Sequence, residues 1–166
     1  MRKFLLPVVS CLFLTACSVG GQIPSEDNDT FFNQAKSHRY ADTMEFTVPR
    51  SVGAVAKSFQ AGAPCLNRRV EEISYGPRSG GRSVSNYRGV VVSGPGSVTL
   101  NLRRQGTTAV VGGTNAEYRL AMAEARAVPG GSRIRIAGPS TNYDDVYRAM
   151  SQWARGNPAG CPKFRI

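Results

Sequence analysis

Few residues in this sequence could carry out catalysis. The chain has 166 residues, a single histidine (His38) and, in its predicted domain, the adjacent carboxylates Glu71-Glu72 and Asp144-Asp145. Neighbours on a strand point to opposite faces, and Asp144-Asp145 lies at the start of a predicted helix, so neither pair suits general acid–base work. Motifs of serine hydrolases, zinc proteases and phosphate-binding loops are missing from the sequence. We therefore expect a non-enzymatic protein with no metal and no cofactor.

The arginines are the second group with chemical potential. Lys and Arg number 21 against 11 Asp and Glu, which gives a net charge of +10. Four arginines, Arg103, Arg119, Arg133 and Arg135, fall on outward positions of successive predicted strands and predict a basic sheet face. Because a guanidinium binds phosphate or carboxylate through two parallel hydrogen bonds, this face could hold an anionic ligand or partner. Alternatively, the arginines form an ordinary solvated surface.

The N-terminus predicts export. Residues 1–3 are positively charged, residues 4–14 are an apolar run, and Leu14-Thr15-Ala16-Cys17 follows. The apolar run is too short to span a bilayer, which needs about 20 residues, but its length and flanks are typical of a signal peptide. An ordinary secretory signal with an incidental cysteine is one interpretation.

The string Leu14-Thr15-Ala16-Cys17 resembles the lipobox of bacterial lipoproteins. That resemblance implies a lipoprotein signal peptide at 1–16, cleavage before Cys17, and three acyl chains on Cys17. Two or more chains anchor a protein stably to a membrane. In that family the residue after the lipidated cysteine guides sorting, and Ser18 in place of Asp favours the outer membrane, facing the periplasm, over the inner membrane.

Residues 17–42 predict a lipidated flexible tether, because they are rich in Gly, Ser, Asn and Asp and show no sustained period. The apolar pair Phe31-Phe32 is expected to pack back on the domain, with a docking point for a partner as the alternative. His38 is expected to be a solvated residue of this tether.

Residues 43–166 predict a single α+β domain. Thr43–Val48 alternates apolar and polar residues as a strand does, and Ser51 precedes a helical pattern that includes Val55 and Phe59. Segments in which apolar and polar residues alternate follow, separated by glycine-containing turns. The last helix covers residues 143–155. We expect the order β-α-β(n)-α: an antiparallel β-meander of about 5–7 strands with two helices packed on one face.

Two cysteines remain for the domain after Cys11 leaves with the signal peptide and Cys17 takes lipid. Cys65 and Cys161 each follow a predicted helix end, and an exported protein meets oxidising conditions. They lack the local spacing of a redox-active pair. We therefore predict a structural disulfide between Cys65 and Cys161.

The element order over residues 43–160 resembles helix-grip domains, which include outer-membrane accessory lipoproteins and lipid-carrying plant allergens. The resemblance rests on element order, with no motif behind it. It implies an apolar pocket between the last helix and the sheet, near Phe59, Tyr118, Met122, Met150 and Trp153; a filled core is the alternative.

These patterns predict a non-enzymatic, lipid-anchored periplasmic or outer-membrane lipoprotein that serves as an accessory subunit of an envelope complex. The alternative is a binding module that holds an anionic envelope ligand or a lipid on its basic face or in its interior. Its expected partners are the membrane, through the acyl chains, and an envelope protein complex or anionic ligand. Export excludes nucleic acid as a sensible partner.

Overall fold

The computed structural model describes residues 27–75, 80–108, 117–157 and 160–163. The predicted signal peptide, Cys17 and residues 18–26 lie outside these ranges. The described elements, in chain order, are α1 (Asn28–Ser37), β1 (Ala41–Val48), α2 (Val52–Gly62), a short 3-10 helix (Ala63–Leu66), β2 (Arg68–Tyr75), β3 (Gly80–Gly94), β4 (Ser97–Thr108), β5 (Glu117–Val128), β6 (Gly131–Pro139) and α3 (Asp144–Arg155).

The strands form one six-stranded sheet in the order β1-β6-β5-β4-β3-β2. Every neighbouring pair is antiparallel. Strands β2 to β6 form a meander, and the last strand, β6, also pairs with β1. The two edges of the sheet are therefore β1 and β2. The predicted α+β class with an antiparallel sheet and packed helices is confirmed.

Helices α2 and α3 pack on one face of the sheet and form the main core. Phe59 of α2 and Met150 of α3 are fully buried, and both pack with Leu100 and Ile134 from the strands. Local sequence sets the helix bounds. The Ser51 side chain accepts a hydrogen bond from the Ala54 amide at the start of α2, and Gly156 ends α3 in the left-handed conformation with φ 87°.

A β-bulge changes the side-chain alternation within β5. Leu102 pairs with Ala121, but its neighbour Arg103 pairs with Arg119, so Leu120 is an extra residue on β5. Leu120 and Ala121 both pack in the core beneath α2 and α3. The side chains on either side of the bulge are therefore out of phase with a simple period of two.

Met122 lies on the opposite face of the sheet because of this bulge. It is fully buried in a second cluster with Phe31, Phe32 and Ala137. The prediction that Met122 lies near Phe59, beside a pocket under the last helix, is therefore wrong.

Helix α1 covers that second face. Asp27 caps it by accepting a hydrogen bond from the Thr30 amide at 2.7 Å. Phe31 and Phe32 are 0% and 2% exposed. The predicted packing of this aromatic pair on the domain is confirmed, but the prediction of a flexible tether up to residue 42 is wrong from Asp27 onward. The folded domain includes α1, because burial of two phenylalanines holds a short polar helix on the sheet.

The disulfide between Cys65 and Cys161 is present, with an S–S distance of 2.01 Å. It joins the 3-10 helix after α2 to the segment that follows α3, as predicted. None of the described helices combines the length and the apolar character needed to cross a membrane.

Candidate functional site

The four predicted site arginines do not form one open face. Arg119 and Arg135 are buried, at 5% and 8% exposure, whereas Arg133 is exposed and Arg103 is half-buried. The predicted basic sheet face is therefore wrong for Arg119 and Arg135. Helix α1 lies over this part of the sheet and removes both guanidinium groups from solvent.

A buried carboxylate neutralises Arg135. Glu124 lies opposite Arg135 on the neighbouring strand and is 1% exposed. The Arg135 Nε donates to Glu124 Oε2 at 2.9 Å, and Arg126 Nε lies 3.0 Å from the same oxygen. Asp29 of α1 completes the group, 2.6 Å from Arg135 Nη2 and 2.9 Å from Arg126 Nη2. The hydrogen bonds from Arg126 and Arg135 hold the pKa of Asp29 below its usual range.

Asn28 connects this charged group to Arg119. Its Nδ2 donates to Glu124 Oε1 at 3.0 Å and to Thr99 Oγ1 at 2.9 Å, and its Oδ1 accepts from Arg119 Nη1 at 2.9 Å. The Arg119 guanidinium also lies over the Phe31 ring, 5.3 Å from its centroid. We call these residues the α1 clamp (Asn28, Asp29, Arg119, Glu124, Arg126 and Arg135). The clamp fixes α1 to the sheet and includes Arg119 and Arg135, two of the four arginines that the sequence pattern assigns to a ligand face.

A different group of arginines lines a groove at the β2 edge. This shallow groove, of about 510 Å³, is lined by Arg68, Arg69 and Arg88 together with polar and aromatic neighbours: Asn67, Asn86, Tyr87 and Gln105. Arg69 is 2.8 Å from Glu71, and Arg88 is 3.0 Å from Glu117. Exposed ion pairs are worth little, so an anionic ligand can compete for these guanidinium groups. We call this feature the arginine groove.

A second groove lies between the edge strand β1 and helix α3. It has a volume of about 450 Å³ and is lined by apolar side chains at its base and polar ones at its rim: Met44, Ile136, Tyr147, Asp42, Thr43, Asp144, Arg148 and Ser151. Burial raises the pKa of Tyr147, and the negative charges of Asp42 and Asp144 add to the effect. We call this feature the β1 groove. No pattern in the sequence predicts it, because it depends on which strand lies at the sheet edge.

The remaining candidate residue, His38, lies at the end of α1. Its Nδ1 accepts a hydrogen bond from the Tyr40 amide at 3.3 Å, so it belongs to the turn between α1 and β1 rather than to a solvated tether. In the described parts of the chain, no three His, Cys, Asp or Glu side chains are grouped so that they could hold a metal ion.

No known protein family, curated protein or solved structure matches this chain. The fold defines its class: an α+β domain with an antiparallel six-stranded sheet covered by helices on both faces.

Proposed function

We propose that the protein is a non-enzymatic lipoprotein of the cell envelope, anchored at the outer membrane and facing the periplasm, where it serves as an accessory subunit of an envelope complex. The observation that carries this proposal is the short distance in sequence between Cys17, in its lipobox-like string, and the docked helix α1. The disulfide between Cys65 and Cys161 supports it, because such bonds are typical of oxidising compartments.

Helix α1 limits how far the domain can lie from the membrane. Asp27, which caps α1, follows the proposed lipidation site by ten residues. Even a fully extended chain spans at most about 3.3–3.6 Å per residue, so the cap lies within roughly 35 Å of Cys17. A domain held this close to the bilayer suits a subunit that works on partners at the membrane surface.

Cell fractionation tests the anchor. Cys17→Ala removes the proposed acylation site and is expected to release the protein into the soluble periplasmic fraction. The matched control is Cys11→Ala, which makes the same change inside the proposed signal peptide and should leave the protein in the membrane fraction. Membrane attachment of the Cys17→Ala protein would contradict the anchor.

Crosslinking in intact membranes, followed by purification of the protein, tests the subunit assignment. A stoichiometric protein partner is the expected result. Recovery of lipid or glycan alone would contradict the accessory-subunit function and favour a ligand-binding module.

The arginine groove favours this second function, binding of an anionic envelope ligand. Arg68, Arg69 and Arg88 line this groove and offer guanidinium groups for a phosphate or carboxylate. Phosphatidylglycerol vesicles are a suitable probe. Arg68→Gln with Arg69→Gln should weaken binding, whereas Arg148→Gln, on the far side of the domain at α3, should not. Equal binding by both variants would contradict a ligand site in the arginine groove.

A further inference from the structure

Strand β1 forms one edge of the six-stranded sheet. Among the described residues it pairs with β6 alone, over all eight of its residues from Ala41 to Val48. The Ser140 amide donates to the Tyr40 carbonyl at 2.9 Å, which fixes the phase of the ladder. Because hydrogen-bonded and non-hydrogen-bonded pairs alternate in antiparallel strands, Thr43, Glu45 and Thr47 direct their backbone groups away from β6.

The β1 groove runs beside this edge. Met44, which is 42% exposed, Ile136 and Tyr147 give it an apolar base, and α3 forms its other wall. A groove between an edge strand and a helix is the geometry in which an extended peptide adds a strand to a sheet: the backbone pairs with the edge, and alternate side chains enter the groove.

Charge indicates what kind of segment fits. The chain as a whole is strongly basic, at +10, yet Asp42 and Asp144 both line the β1 groove. Arg148, the arginine among the described residues that line it, is 3.0 Å from Asp145. The groove therefore offers negative charge to an incoming side chain, and a basic segment is complementary to it.

We propose that the β1 groove binds an extended, basic segment of a partner protein, which adds a strand to β1, inserts an apolar side chain against Met44 and Tyr147, and places a Lys or Arg near Asp42 and Asp144. This inference deepens the accessory-subunit function by naming the docking site and the chemistry of the partner. It is tested on the purified chain with peptides, so its failure and the failure of membrane anchoring are separate results.

The experiment uses the purified full chain and a displayed library of random peptides long enough to pair with β1. We expect enrichment of peptides that alternate apolar residues with a Lys or Arg. Thr43→Pro removes an outward-facing amide while leaving the β1–β6 hydrogen bonds in place, and should weaken binding of the selected peptides about tenfold, the equivalent of one hydrogen bond.

A second variant keeps the test valid if Thr43→Pro perturbs the strand. Asp42→Lys with Asp144→Lys changes only exposed side chains and should abolish binding of basic peptides. The matched control, Glu71→Lys with Glu117→Lys, makes the same charge change at two exposed side chains outside the β1 groove and should bind normally.

Three results would overturn the proposal. The first is a library that enriches no basic extended peptides, and the second is equal binding of the selected peptides by the Asp42→Lys, Asp144→Lys variant. The third is a concentration-dependent dimer of the unmodified chain that Thr43→Pro dissociates, because a second copy of this chain would then occupy the edge.

Discussion

The α1 clamp predicts that one buried ion pair is essential to the stability of the domain. Glu124 and Arg135 have side chains that are 2% and 10% exposed and lie in direct contact. Loss of one member of a buried pair typically costs about 3–5 kcal/mol, since the other charge is left uncompensated. Asp29 still contacts Arg135 after Glu124→Leu, so we expect the lower end, about 3 kcal/mol.

Urea unfolding of the disulfide-intact protein measures this effect. Glu124→Leu and Arg135→Leu should each lower the free energy of unfolding by about 3 kcal/mol, and the double variant should lose little more than either single variant. The matched control is the exposed pair Arg88 and Glu117 in the same sheet, whose removal should cost less than about 1 kcal/mol. Strictly additive losses for the buried pair, or a loss no larger than the control's, would refute this reasoning.

Three further predictions concern packing, the disulfide and pH. Phe31→Ala should cost about 3–5 kcal/mol in urea unfolding because its ring is fully buried, whereas Val92→Ala, at a side chain that is 54% exposed, should cost less than about 0.5 kcal/mol. Replacing Cys65 and Cys161 by Ala should lower the free energy of unfolding by about 2–4 kcal/mol, because the bond closes a loop with a sequence separation of 96. Burial and the neighbouring Tyr87 raise the pKa of Tyr143 to about 12; since the folded state favours the neutral phenol, this stabilisation is present below pH 10 and is lost as the pH rises toward 12. Ultraviolet titration should show the late ionisation, and Tyr143→Phe should remove the step near pH 12 while the still later ionisation of Tyr147 remains; an unchanged step near pH 12 would contradict the assignment.

The elements that the sequence predicted correctly are those in which a regular spacing of apolar residues persists over many positions. Helix α2 begins after Ser51, α3 ends at Gly156, and the antiparallel sheet follows the expected alternation over most of its length. The disulfide was predictable by elimination on the hypothesis that Cys11 leaves with a signal peptide and Cys17 takes lipid, which leaves Cys65 and Cys161 for the domain.

Helix α1 was missed because its polar residues dominate its composition. Its signals were local: Asp27 as a cap, and Phe31, Phe32 and Ala35 on one side of a single short helix. Residues with such a mixed pattern form a helix only when a sheet face is available to bury the aromatic rings. That face is built from residues almost a hundred positions later in the chain.

The arginine prediction failed for a related reason. Alternation correctly placed Arg135 on the face away from α2 and α3, but it cannot say whether another element covers that face. Alternation placed Arg119 on that face too, and α1 covers it as well. The bulge at Leu120 instead overturned the prediction for Met122, because nothing in a period of two indicates a bulge.

The position of β1 next to β6 has a consequence for the order in which the molecule can be assembled. Val48 pairs with Ser132, and Ala41 pairs with Pro139. Strand β1 therefore cannot form its hydrogen bonds until β6 has been synthesised. Phe31 and Phe32 likewise cannot be buried in their cluster until Met122 and Ala137 have been synthesised. A chain that emerges N-terminus first therefore carries β1 and an aromatic pair unprotected until β5 and β6 have emerged. Such non-local pairing slows folding, and the segment from α1 through β1 is where a holding chaperone would be needed.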